Sequence, residues 1–197
     1  MRTVVALIVV VLLVVAAVAA PLLARHDPIA QAGGLFQSPS GRYWLGTDDL
    51  GRDIFSRMVY GARTSLLASL LAVGTGLVLG IPFGLLAGYL GGWVDMVLMR
   101  IVDTFLAFPA LILVIAITAA LGPNLTNSMV AVGILFAPAI ARLIRAQTLA
   151  VRDQQYVELA HTYGASSWRI AMRHVVPNAI QPILVEASSM FGMALLS

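Results

Sequence analysis

The sequence predicts an all-α protein, a polytopic bundle of transmembrane helices. The chain of 197 residues is 60% hydrophobic and only 11% charged, and its mean hydropathy is +0.94. Soluble domains carry about 25% charged residues, so this composition is typical of a chain that has the lipid bilayer as its solvent. Apolar runs separated by short polar segments predict about five membrane spans.

The first apolar run extends from Val4 to Ala24 and contains no charged residue. As a helix it is about 32 Å long, enough to cross a hydrocarbon core of about 30 Å. Its small-residue end resembles a signal-peptide cleavage site, but the run is longer than the usual apolar region of such a peptide, about 7–15 residues. We therefore expect an uncleaved membrane anchor rather than a signal peptide.

Residues 1–63 are expected to form this anchor and a polar loop on the outer side of the membrane. The loop contains one amphipathic stretch, and a helix that starts near Asp48 or Asp49 would lie on the membrane surface before the second span. Asp53 and Arg57 are spaced as an i,i+4 ion pair on that helix. The apolar side of this predicted helix consists of Leu50, Ile54, Phe55, Met58, Val59 and Ala62.

The second span, Leu66 to Leu90, has a small residue at every fourth position. Such a ridge lets another helix approach closely, which is how helices associate in lipid. The helix also contains Pro82, where a kink is expected. The small residues of this ladder are Ala68, Ala72, Gly76, Gly80, Gly84 and Gly88.

Residues 64–197 are expected to form the core of the membrane domain. Beyond the second span, glycine-containing turns separate a third span, Phe105 to Leu121, from a fourth, Ser128 to Ile144. A polar insert within residues 148–178 precedes a fifth apolar segment, Ala179 to Ser197. Glu186 lies within that last segment, and because an ionisable group at membrane depth is costly, it is a candidate for lining a pathway.

The charged residues exclude several classes of protein. All twelve cationic residues are arginine, so the chain lacks the lysine of a phosphate-binding loop and cannot hydrolyse ATP with one. The arginines are scattered rather than clustered with aromatic residues, which argues against nucleic-acid binding. Seven of them would face the cytoplasm if the N-terminus is cytoplasmic, and five would lie outside, so the arginine bias favours a cytoplasmic N-terminus and a cytoplasmic polar insert.

No catalytic or metal site is predicted, and no cofactor. The chain has no cysteine, and it contains neither a His-Glu-x-x-His motif nor a nucleophile-elbow serine, so an intramembrane hydrolase is disfavoured. The three histidines, His26, His161 and His174, do not share a membrane face at metal-ligand spacing, and polar structural contacts are expected for them.

The polar insert is predicted to form two short helices joined at Gly164. The first extends from about Arg152 to Tyr163, where the glycine supplies a left-handed cap, and the second opens at Ala165 or Ser166 and ends before Pro177. Their apolar stripes must cover either the ends of the spans or a partner protein. These stripes are Tyr156, Leu159, Ala160 and Tyr163 in the first helix and Trp168, Ala171, Met172 and Val175 in the second.

The insert resembles the EAA motif of permease subunits from bacterial ATP-binding-cassette importers. The matching residues are Glu158-Leu159-Ala160, Gly164 and Val176-Pro177; Leu159 and His174 depart from the motif. Further segments are similar to the second, C-type, permease of dipeptide, oligopeptide and nickel importers, and together the likeness covers about residues 40–190. These segments are Trp44 to Asp53, Tyr60 to Ser65, Gly91 to Asp95, Asp103 to Pro109 and Arg173 to Asn178.

The resemblance implies a type I importer permease that forms a translocation pathway in the bacterial inner membrane. Glu158, Ala160, Gly164, Ala165 and Pro177 would then belong to the loop that couples the spans to separate ATP-binding subunits. The other implied partners are a second permease subunit, an extracytoplasmic substrate-binding protein and membrane lipid.

Peptides are the expected substrate because no metal-binding cluster is visible, and nickel or another small solute is the alternative. Such permeases have a sixth span, so we expect that about a third of the subunit is missing after Ser197 and that a truncated, non-functional copy is possible. A channel or structural membrane protein without an ATPase partner is the rival class.

Overall fold

The computed structural model describes residue 11 and residues 14–196, so nine of the 21 residues of the first predicted span, Val4 to Ala24, lie outside the described residues. Nearly all regular structure in the described part is helical, and the β-type pairing found there is an isolated bridge between Thr47 and Asp53. The all-α prediction is therefore confirmed. The chain divides into two compact units, residues 1–67 and residues 68–197, and each is described by itself.

The first unit contains a short helix, α1 (Ala20–Leu23), and the start of α2 (Ile54–Leu90). Between them the chain folds back on itself through backbone hydrogen bonds, in which the amide of Gly33 donates to the carbonyl of Gly51 (3.0 Å) and that of Thr47 donates to the carbonyl of Gln37 (3.1 Å). Gly51 has a φ of 74°, a left-handed conformation that favours glycine. The polar loop is thus an ordered fold of its own.

Asp48 is the centre of that fold and explains why α2 begins later than predicted. One carboxylate oxygen accepts hydrogen bonds from the amides of Leu50 and Arg52, each 2.9 Å long, and the other accepts from the guanidinium groups of Arg52 and Arg57. Burial raises the pKa of Asp48, but the hydrogen bonds from Arg52 and Leu50 outweigh it and hold that pKa below its ordinary value. Such side-chain bonds compete with helix formation.

Two predictions about this region are wrong. The helix begins at Ile54 and continues to Leu90 without a break, so there is no separate interfacial helix before the second span. Asp53 and Arg57 do not pair, because Arg57 binds Asp48. Asp53 instead lies at the start of α2, where it accepts hydrogen bonds from the amide (3.3 Å) and hydroxyl (2.6 Å) of Ser56.

The second unit contains the rest of α2 and six further helices among its described residues. A π-helical turn, Ala171–Val175, connects α7 and α8. In chain order the helices are α3 (Gly92–Ala107), α4 (Ala110–Leu121), α5 (Leu125–Arg152), α6 (Gln155–Thr162), α7 (Ser167–Ile170) and α8 (Val176–Leu196).

The third predicted span is wrong as a single helix. Helices α3 and α4 meet at an angle of 97°, because Pro109 disfavours helical backbone at the residue before it and Phe108 is extended, with φ −85° and ψ 140°. By length and apolar composition α2 and α5 can each cross a membrane, and the bent pair can make a third crossing. The fifth predicted segment, Ala179 to Ser197, lies in α8 as far as Leu196, the last described residue.

The core of the second unit lies where α2, α5 and α8 meet. Its buried residues are aliphatic or methionine, and since lipid tails are as apolar as these side chains, close packing rather than water exclusion holds the helices together. This core consists of Val73, Ile140, Ile144, Ile183 and Met190.

Candidate functional site

The polar insert folds into an elbow, defined here as residues 153–176, between α5 and α8. Helix α6 ends in a Schellman motif, in which Gly164 has a φ of 78° and the amide of Ala165 donates to the carbonyl of Ala160 (3.1 Å). Both alanines also pack against the buried aliphatic residues of the elbow. Ser166 then caps α7 by accepting from the amide of Arg169 (3.4 Å). Small residues at 160, 164 and 165 thus set the bend.

The inner side of the elbow is a small aliphatic core. Val157, Ile170 and Val175 are almost completely buried, and the residues packed against them include Tyr89 at the end of α2 and Val151 at the end of α5. Sequence reasoning missed Val157 and Ile170, because it placed neither in the two apolar stripes and left open whether those stripes cover the spans or a partner. The only signal was that both are aliphatic and branched, as is common in cores.

The outer side of the elbow exposes most of the apolar side chains that were predicted to form the two stripes. Tyr163 is 86% exposed and Trp168 is 74% exposed, and both flank the bend at Gly164. Leu159, Met172 and Tyr156 are also exposed. Large aromatic residues that cluster on a polar segment are the residue types that dominate protein–protein interfaces.

Polar contacts fix the elbow to the end of α2. The hydroxyl of Tyr89 donates to the carbonyl of Ser167 (2.6 Å). The guanidinium of Arg152 donates to the carbonyls of Gly88 (3.2 Å) and Tyr89 (3.3 Å), which are among the last carbonyls of α2 and lack partners within the helix. The end of α2 is therefore attached to the elbow beyond its bend, through Ser167, and to the end of α5 just before the elbow, through Arg152.

Two ion pairs connect α3 to α5. Arg145 binds Asp95 through two nitrogen atoms, with the Nη2–Oδ2 distance 2.5 Å, a bidentate arrangement that fixes orientation as well as distance. Arg142 binds Asp103 at 2.6 Å, although both side chains are about half exposed and the pair contributes less. The sequence places the acids and the arginines in different segments, and nothing in it indicates that they meet.

The glycine ladder of α2 lies against α5. A Cβ added to Gly80 would be 2.7 Å from the carbonyl oxygen of Ala137, and one added to Gly88 would be 2.7 Å from Cβ of Thr148. A Cβ added to Gly84 would be 2.5 Å from the carbonyl oxygen of Ala141, and one added to Gly76 would be 3.0 Å from Cβ of Phe136. The two helices are therefore in close backbone contact over about three helical turns, from Gly76 to Gly88.

The remaining candidate residues lie elsewhere. Glu158 is exposed on α6, and Glu186 is half-buried on α8.

The predicted end of the second elbow helix before Pro177 is wrong. The chain continues through the π turn into α8, and proline is tolerated at this position because it lies in the first turn of α8. The side chain of Asn178 donates to the carbonyl of His174 (2.7 Å). In the described part of the chain no three His, Asp or Glu side chains are grouped to hold a metal ion.

Comparisons with known proteins agree on one family. A family model described as "Binding-protein-dependent transport system inner membrane component" matches residues 80–197. The chain is 42% identical to a dipeptide transport system permease protein of Alkalihalophilus pseudofirmus, with 98% of this chain and 64% of that protein covered.

Two further relatives transport related compounds by name. A probable D,D-dipeptide transport system permease protein of Escherichia coli is 42% identical, with 98% of this chain and 65% of that protein covered. A glutathione transport system permease protein of Pectobacterium atrosepticum is 44% identical, with 83% of this chain and 54% of that protein covered. The chain thus spans less than two thirds of the length of these relatives.

Proposed function

Because this chain belongs to the family of binding-protein-dependent transport system inner membrane components, we propose that it is a permease subunit of an ATP-driven importer of short peptides. The names of its relatives, which specify dipeptides, D,D-dipeptides and glutathione, support this substrate class. Nickel or another small solute is the alternative. The subunit lies in the inner membrane with its N-terminus and its elbow in the cytoplasm.

The observation that carries the proposal is the exposed aromatic surface of an elbow that is rigidly held from behind. Tyr163 and Trp168 flank a glycine-determined bend and face away from the chain's own helices. Because the inner side is filled by Val157 and Ile170, the aromatic side chains of Tyr163 and Trp168 have no place to pack on that side of the elbow. A separate ATPase subunit is the partner that this surface receives.

The attachments of the elbow explain how ATPase closure reaches the spans. A displacement of the elbow acts on α2 through the Tyr89–Ser167 hydrogen bond and through Arg152, which binds the end of α2. At the four ladder glycines α2 presents no side chain to α5 that would block sliding or rocking. Alternating access then results from movement of this chain against a second permease subunit, and a substrate-binding protein delivers the peptide on the outer side.

Co-purification tests the docking assignment. The chain is expressed with the neighbouring permease and ATPase genes, and the ATPase recovered with Trp168→Ala is compared with that recovered with Phe36→Ala. The control residue is equally exposed, 74% in both cases, but lies in the outer polar loop. Loss of a hot-spot aromatic residue costs about 2 kcal/mol or more, a decrease in affinity of roughly thirtyfold.

The expected result is loss of the ATPase from Trp168→Ala and retention by Phe36→Ala. Gly164→Pro should also release the ATPase, because the proline cannot adopt the left-handed conformation of this residue. A stable complex of the unmodified chain that never contains an ATPase would favour a channel or structural role and contradict the proposal. Uptake of labelled dipeptide, with labelled Ni²⁺ as the competing substrate, then tests the substrate class separately.

A further inference from the structure

An apolar cavity of about 200 Å³ lies between α2, α3 and α5. Its walls consist of aliphatic and aromatic side chains together with small residues, and no ionisable or hydrogen-bonding side chain lines it. The lining residues are Leu79, Gly80, Phe83, Ile101, Val102, Phe105, Ile134, Ala137, Pro138 and Ala141.

The cavity lies at the depth of the hydrocarbon core. Gly80 is about 15 Å along the helix from Leu90, the last residue of α2, at 1.5 Å per residue. Ala137 is about 18 Å from Leu125, the first residue of α5. In a hydrocarbon core of about 30 Å, both distances correspond to the middle of the bilayer.

Water does not suit this cavity, because a buried water molecule needs two to four polar partners. An engineered cavity of about 150 Å³ with comparable walls stays dry and binds benzene or xenon, so a space of this size and chemistry accepts hydrocarbon. An empty space would also deprive its walls of van der Waals contacts. At the middle of a bilayer the hydrocarbon at hand is the terminal part of a lipid acyl chain.

The cavity is open on the side where lipid can enter. Leu79 on α2 and Ile101 on α3 are 40% and 41% exposed, whereas Val102 and Ala141, which also line it, are buried. The closed side is formed by the contact between the ladder helix and α5. An acyl chain would therefore enter between α2 and α3, where Leu79 and Ile101 are exposed.

We propose that this cavity binds the terminal segment of one phospholipid acyl chain, which fills the space between α3 and the α2–α5 pair. The bound chain supports α3 beside α5, and the ion pairs Asp95–Arg145 and Asp103–Arg142 are the polar contacts between the same two helices. This site does not depend on which solute is transported. It accounts for an apolar space that side chains of α2, α3 and α5 leave unfilled.

Photo-crosslinking in lipid nanodiscs tests the proposal. Two phospholipids are compared, one with a diazirine at the end of an acyl chain and one with a diazirine close to the ester, and labelled residues are mapped by mass spectrometry. The terminal diazirine should label Val102 and Phe105 at least fivefold more than the ester-proximal one. Ala137→Phe fills the cavity and should decrease this labelling at least fivefold, whereas Ala120→Phe, on the exposed surface of α4, should leave it unchanged.

A measurement on the unmodified chain keeps the test decisive if Ala137→Phe does not fold. After transfer to detergent and extensive washing, bulk lipid is removed, so labelling of Leu111, an exposed residue of α4, should disappear while labelling of Val102 and Phe105 persists. Equal loss at all three residues would overturn the proposal. Absence of labelling at Val102 and Phe105 with both lipids would mean that a protein segment occupies the cavity, and would overturn it as well.

Discussion

Replacement of Gly84 by alanine tests whether the ladder of α2 holds α5 by direct backbone contact. A Cβ at this position would lie 2.5 Å from the carbonyl oxygen of Ala141 and 2.6 Å from Cβ of Ile144. Nonbonded carbon atoms are most stable at about 3.5–4.0 Å. The two helices must therefore move apart by roughly 1 Å to accept one methyl group.

Two opposing effects determine the size of the change. Overpacking of a close contact costs about 1–3 kcal/mol. Alanine is a better helix former than glycine by up to about 1 kcal/mol, so part of the loss is offset. Gly74→Ala supplies the control, because Gly74 lies on the same helix with nothing within 4 Å of an added Cβ. The Gly74→Ala variant gains the same helix propensity as Gly84→Ala but has no clash with α5. We therefore expect Gly84→Ala to be less stable than Gly74→Ala by about 1–3 kcal/mol.

Reversible unfolding in mixed detergent micelles, followed by far-ultraviolet circular dichroism, measures this difference. Both variants are compared with the unmodified chain in the same micelles, so that the membrane mimetic is constant. Stabilities of the two variants that agree within about 0.5 kcal/mol would refute the conclusion that Gly84 is needed for close approach.

Three further predictions concern polar contacts. Tyr89→Phe removes the hydrogen bond to Ser167 and should raise amide hydrogen exchange in α7 without changing exchange in α3. Asp95→Asn should destabilise the contact between α3 and α5, as measured by unfolding in detergent. Arg145→Lys should destabilise this contact less, because lysine keeps the charge although it loses the bidentate geometry. Hydrogen bonds keep the pKa of Asp48 low despite burial. The ionised carboxylate therefore stabilises the fold fully above about pH 4, and this stabilisation decreases as the pH falls further. Asp48→Asn should abolish the loss of stability below about pH 4, as followed by tryptophan fluorescence.

Much of the helical architecture could be predicted because local patterns determine it. Small residues at every fourth position define one face of a helix, and Gly80 and Gly88 indeed face α5. Gly164 ends α6 in the left-handed conformation, since only a residue without a side chain adopts it freely. These features depend on residues close together in the sequence.

Features that depend on distant residues could not be predicted. Asp95 and Arg145 are fifty positions apart, and only the folded chain shows that they pair. The mistaken pairing of Asp53 with Arg57 has the same origin: helical spacing favours it, but Asp48 provides Arg57 with an acceptor outside the helix. The bend between α3 and α4 had a local signal in Pro109, which the apolar run on both sides obscured.

Under the proposed function, the division of the elbow into two sides follows from what a docking element has to do. To transmit force, the segment must be fixed to the spans, and to bind a partner it must leave some apolar surface uncovered. Val157 and Ile170 serve the first need because compact aliphatic side chains fill the space against the helix ends. Tyr163 and Trp168 serve the second, because large rings give a partner much contact area at little loss of conformational entropy. An elbow with its aromatic residues turned inward would be held as firmly, but it would offer an ATPase no apolar surface to bind.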